Sequence, residues 1–180
     1  MKKLLYLFTL VFTLIISYTA EAQKFDGLDK SPADIATYPS SYKVSDKQIR
    51  IVYSRPQLKG RSISELAPAG KVWRTGANEA VEITFYKDIK IGGELVKAGS
   101  YSLFSIPGSK EWTIILNSKL NQWGAYSYDK STDVVRFKGA LSKNKENLEA
   151  FSIAFKEGDS NKLVLGWGTT LVSIPFEAVK

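Results

Sequence analysis

From Gln48 onward, apolar and polar side chains alternate along the chain with a period of two. Ile49, Ile51 and Tyr53 interleave with Gln48, Arg50 and Val52, and Val81, Ile83 and Phe85 with Glu82, Thr84 and Tyr86. Successive strand side chains point to opposite faces, so these runs predict strands with one buried face. Ile89 and Ile91 lead into Gly92-Gly93, a tight hairpin signal, and Leu95-Val96 continues beyond it. Tyr101–Ile106 ends at Pro107-Gly108, and Trp112–Leu116 resumes after that turn. Further runs follow at Val134–Phe137, Phe151–Phe155, Leu163–Leu165 and Leu171–Ile174. Short β-rich runs separated by turns, with no long stretch at helical spacing, predict an all-β chain. The expected architecture is an antiparallel β-sandwich or jelly-roll-like domain over residues 48–180. Nine Tyr, nine Phe and four Trp are more than one small sheet face covers, which favours two packed faces.

Residues 23–47 are polar and turn-rich. Ser31-Pro32-Ala33-Asp34 reads as an N-cap, a proline at the first helical position and an acid near the positive helix end. This predicts a short N-terminal helical turn, stopped at Tyr38-Pro39 because the residue before proline avoids the α region.

Residues 1–22 follow a different pattern. Lys2 and Lys3 precede an apolar run, Leu4 through Ile16, interrupted by Thr9 and Thr13, and Ala20-Glu21-Ala22 is a small-x-small cleavage signal. The run falls short of the ~20 apolar residues that span a bilayer. We therefore expect a signal peptide cleaved after Ala22, an exported (periplasmic or secreted) product, and no stable membrane insertion of the mature chain.

Composition narrows the chemistry. The chain has 180 residues, a formal charge of +7, no histidine and no cysteine. A domain of this size buries ~70% of the surface its unfolded chain exposes, enough for a core without disulfides. Lacking His and Cys, it has no means of Ser-His-Asp or thiol catalysis, His- or thiolate-ligated metal binding, or iron–sulfur ligation. No phosphate-binding glycine loop or nucleophile elbow occurs, and no acidic spacing matches a calcium loop. Neither a metal nor a cofactor is expected. A basic balance favours acidic partners; with export, that means an anionic small molecule or a glycan rather than nucleic acid.

One segment gathers cations. Residues 55–74 hold Arg55, Lys59, Arg61, Lys71 and Arg74 against a single acid, Glu65, and lead through Gly76-Ala77-Asn78-Glu79 into the Val81–Phe85 run. Such a loop can hold a carboxylate or phosphate through charge-assisted bonds, with glycine and asparagine turning backbone N–H groups toward it. The structural alternative is an Arg74–Glu79 ion pair locking the turn, with Asn78 bonding its own backbone. A second cluster is aromatic. Trp112 and Trp167, inside strand-like runs, read as core, whereas Trp123 and Tyr126 lie in a glycine-containing loop and read as surface groups suited to a sugar ring.

Several of these segments carry a resemblance. Tyr53-Ser54-Arg55-Pro56, Lys59-Gly60-Arg61, Val72-Trp73-Arg74-Thr75-Gly76-Ala77-Asn78-Glu79, Ala98–Pro107 and Trp123-Gly124-Ala125-Tyr126 resemble the bacterial DUF2911 family over roughly residues 30–178. The resemblance implies an exported bacterial protein of unknown function and supplies no catalytic residues. Ala69 departs from it, standing where similar proteins commonly have an aromatic. The candidate ligand-binding set is Arg55, Lys59, Arg61, Trp73, Arg74, Asn78, Glu79, Trp123 and Tyr126. The first functional expectation is a non-enzymatic envelope binding module. The alternatives are a hydrolase or lyase using carboxylate, lysine or tyrosine chemistry in the same cleft, and a structural or assembly factor without a small ligand.

Overall fold

The computed structural model describes residues 23–179, so the leader reading for 1–22 lies outside the described residues. Nine antiparallel strands form one sheet: β1 (Ala33–Tyr38), β2 (Ile49–Ser54), β3 (Val81–Phe85), β4 (Ile89–Ile91), β5 (Glu94–Val96), β6 (Gly99–Ile106), β7 (Glu111–Asn117), β8 (Asp133–Lys156) and β9 (Lys162–Ala178). Their spatial order is β1-β2-β3-β6-β7-β8-β9-β4-β5. Among the described residues the helical content is a single turn, α1 (Ile63–Leu66), and a 3-10 turn at Lys130–Thr132. The chain is all-β. No helix among the described residues is long and apolar enough to cross a membrane.

The alternating runs become the expected one-sided strands. Ile49, Ile51 and Tyr53 are buried on β2, and Val81, Ile83 and Phe85 on β3. Ile51 lies opposite Ile83 and Ile83 opposite Tyr101, so the apolar positions of three strands stack across one face. Gly92 and Gly93 turn β4 into β5 with φ of 60° and 91°. A Cβ on Gly92 would also stand 2.4 Å from the Phe137 ring, so that site admits no side chain.

Two packed faces arise from a single sheet folding on itself. β8 and β9 are long, and their pairing shifts register between Lys143 and Leu148 and again between Leu148 and Ser152. Such irregularities bend a ladder. The far half of β8 then runs beside the segment that follows β2: the Leu58 N–H donates to the Glu149 carbonyl and the Phe151 N–H to the Pro56 carbonyl, at 3.0 and 2.9 Å. Tyr53 packs edge-on to Phe151, and Tyr38 packs against Phe155 and Phe176. One continuous buried cluster fills the space between the halves.

The expected N-terminal helical turn is not there. Residues 33–38 are strand β1, paired along its length with β2 from Ala33 opposite Ser54 to Tyr38 opposite Ile49. Pairing to a neighbouring strand satisfies these backbone groups better than an isolated turn, which is costly to nucleate. Regular β structure therefore begins at Ala33 rather than at residue 48.

Candidate functional site

The two loops singled out by sequence, residues 72–80 and 121–126, are clasped to each other. Trp73 exchanges backbone bonds with Ser105 on β6, at 2.7 and 2.9 Å, anchoring the first loop to the sheet. Beyond it the backbone turns left-handed at Thr75 (φ 58°) and Asn78 (φ 58°). Thr75 is fully buried and its hydroxyl donates to Ser105 Oγ at 3.0 Å, which holds a β-branched residue in a conformation it seldom adopts. Gly76 serves by close approach rather than by a left-handed φ, since a Cβ there would lie 3.0 Å from the Ser54 carbonyl oxygen. The second loop docks through Ala80 N–H to the Gln122 carbonyl (2.8 Å) and Gly124 N–H to the Asn78 carbonyl (2.9 Å). Glu79 and Trp123 face each other as an isolated antiparallel pair.

The five cations of residues 55–74 do not converge on one cleft. Arg55 is a tie between strands: Nη1 meets Asp34 Oδ2 at 3.1 Å, Nε donates to the Phe151 carbonyl at 3.0 Å and Nη2 to Ser152 Oγ at 2.8 Å. Arg61 closes its own turn by donating to the carbonyls of Leu58 and Gln57. Glu65 completes the capping box of α1 with Ser62, whose hydroxyl and backbone N–H hold its carboxyl below the usual range. Lys59 is exposed at a separate cleft bordered by Leu28, Asp29 and Lys30. Lys71 is exposed as well.

The remaining candidates divide in the same way. Trp73 is a core residue, stacked on Trp167 with centroids 5.4 Å apart and edge-on to Trp112 and Phe151. Trp112 and Trp167 are buried, as their strand positions predicted. The Asn78 side chain reaches Asp29, whose carboxyl is held low first by the Ser31 N–H and then by that amide. Glu79 borders a cleft of about 180 Å³ with Ser54, Glu82, Ser102 and Asn121.

Arg74 has neither the cross-strand tie of Arg55 nor the two carbonyl bonds of Arg61. The ion pairs among the described residues are Arg55–Asp34, Lys87–Asp46, Lys90–Glu177, Lys97–Asp88, Arg136–Asp133 and Lys138–Glu111, and Arg74 is in none of them. The anticipated Arg74–Glu79 lock is absent. Arg74 Nε donates to the Gly76 carbonyl at 3.3 Å, which leaves the Nη1/Nη2 edge without a protein acceptor among the described residues. Half-buried, it lines a cleft of about 400 Å³ with Leu66, Val72, Trp73, Ala125 and Tyr126. Tyr126 is 85% exposed and Trp123 61%. The point where a Cβ on Gly124 would sit is 2.7 Å from the Tyr126 ring and 3.0 Å from Arg74 Nη1. Absence of that Cβ lets ring and guanidinium close over the loop backbone side by side.

Sequence reasoning missed a polar network behind this loop. Asp133 accepts from Tyr128 Oη (2.7 Å), Arg136 Nε (2.7 Å) and Asn117 Nδ2 (2.9 Å). Burial and the adjoining Asp133 push the Tyr128 hydroxyl up to about 12. The available signal was Asn117, a polar residue ending the apolar run Ile114-Ile115-Leu116 and fully buried. Its amide also donates to the Asp129 carbonyl, and its oxygen accepts from the Lys119 N–H, so the 117–133 connection is pinned on both sides. Among the described residues no group of three or more acidic side chains is arranged to hold a metal.

A family model described as a protein of unknown function, DUF2911, matches residues 31–176. The chain belongs to the DUF2911 family. The matched span begins just before β1 and ends at Phe176 in β9, so the DUF2911 unit includes all nine strands and both clasped loops. No curated protein and no solved structure matches the chain.

Proposed function

We propose that this DUF2911 protein is an exported, non-enzymatic binding module of the cell envelope whose anionic or glycan ligand lies in the cleft between Arg74 and Tyr126. The observation that carries this reading is the unpaired guanidinium edge of Arg74 beside an exposed phenol ring. Charge-assisted bonds from arginine are strong and directional, and an arginine that no protein acceptor satisfies is ready for a ligand's. The Lys2-Lys3, Leu4–Ile16 and Ala20-Glu21-Ala22 pattern supports export.

Binding is favoured over catalysis by the lining of the cleft, in which Arg74 stands with Leu66, Val72, Trp73, Ala125 and Tyr126 and no carboxylate or lysine is among the described lining residues. A general acid or base must lie within reach of the proton it moves. Amide chemical shifts of the labelled protein, recorded against a panel of oligosaccharides and small anions, test the reading. Perturbations confined to residues 66–74 and 123–126 are expected. Perturbations elsewhere, or none with any ligand, would remove it.

A further inference from the structure

We infer that the ligand is a carboxylated sugar within a polysaccharide, a uronic acid residue whose ring lies on Tyr126 while its carboxylate is held by the Nη1/Nη2 edge of Arg74; this rests on the binding reading above. Three features select this chemistry.

The first is charge. Among the described residues, Arg74 is the single charged side chain lining the cleft. Arg55 and Arg61 are occupied by Asp34 and by carbonyl groups, and Lys59 belongs to a different cleft. A monoanionic carboxylate is matched by one guanidinium, whereas a phosphate monoester would bring about two negative charges to the same single cation. The second is shape. With Nε engaged by the Gly76 carbonyl, the free edge presents two parallel N–H groups, the fork that fits the two oxygens of a planar carboxylate. The third is the ring. Tyr126 offers a broad apolar face with a polar rim, suited to the C–H face of a pyranose. Ring and guanidinium both lie within 3.0 Å of the vacant Cβ position of Gly124, close enough for one sugar residue to touch both. Trp123, next along the loop and also exposed, offers a second aromatic surface for a neighbouring sugar of a chain.

The test is isothermal titration of the purified protein with hexameric oligogalacturonate, oligomannuronate and oligoglucuronate, each beside its methyl-esterified form, with neutral cellohexaose and with inorganic phosphate. At least one free-acid hexamer should bind, and its methyl ester should bind about tenfold more weakly or worse, the loss of one charge-assisted contact. Arg74→Gln should abolish the difference between acid and ester, and Arg74→Lys should restore part of it. Tyr126→Ala should weaken both forms, with circular dichroism reporting an unchanged fold. Equal binding of acid and ester, or binding of cellohexaose or phosphate in preference to every uronate, overturns the carboxylated-sugar inference while leaving a binding module in place. No binding by any member of the panel overturns both.

Discussion

Arg55 and Arg74 lie nineteen positions apart in one basic stretch and have opposite environments. Arg55 reaches across the fold to three acceptors on β1 and β8, so its charge and its fork are occupied by the protein. Arg74 has one intraloop bond and a free edge in a cleft beside Tyr126. The difference shows that a run of cations is not a site. An arginine becomes available to a ligand only where the fold leaves it without acceptors. Trp73 and Trp123 repeat the contrast among the aromatics, one stacked into the core and the other exposed on the clasped loop.

The largest effect expected is at Trp73. Trp73→Ala should destabilise the protein by about 3–5 kcal/mol in denaturant melts, as other large-to-small core substitutions do. A loss below ~1 kcal/mol would return Trp73 to the ligand-binding set.

A smaller effect is expected at Tyr128, which ties the network behind the loop. Tyr128→Phe should cost about 1 kcal/mol near neutrality, one hydrogen bond's worth. It should also change the alkaline limb of stability. The folded-state hydroxyl is raised from its ordinary 10.0 to about 12, so its contribution is complete below pH 10 and is lost as pH rises through 12. Alkaline melts of wild type and Tyr128→Phe should therefore converge over that window; parallel curves would mean that burial and Asp133 do not raise the hydroxyl in the folded state.

Much of the fold was legible because the chain's alternation reports burial directly. Val81, Ile83 and Phe85 are apolar in sequence and fully buried in β3, and Gly92-Gly93 marks the β4–β5 hairpin. β1 was not legible. Its exposed position is Ile35 and its inward one Ala36, so hydrophobicity does not track the buried face, and Ser31-Pro32 imitates a helix start. The cleft was legible only in part. Arg74, Trp123 and Tyr126 stood out by type and loop position. What removed Arg55 from the set was contact with Phe151 and Ser152, 96 and 97 positions away, which no local pattern encodes.

The smallest stability effect belongs to the exposed ring. Tyr126→Ala should move the melting midpoint by no more than ~0.5 kcal/mol equivalent, as surface substitutions do, while any ligand response falls. A large destabilisation would make Tyr126 a structural cover for Arg74 instead of a contact surface.

The most direct test of the division itself compares Arg55→Ala and Arg74→Ala by urea unfolding in one buffer. Arg55→Ala breaks an ion pair and two further bonds at a site about one-third exposed and should lose about 1–3 kcal/mol. Arg74→Ala should lose no more than ~0.5 kcal/mol. Equal losses, or a larger loss at Arg74, would contradict the claim that the fold occupies Arg55 and leaves the Arg74 edge free.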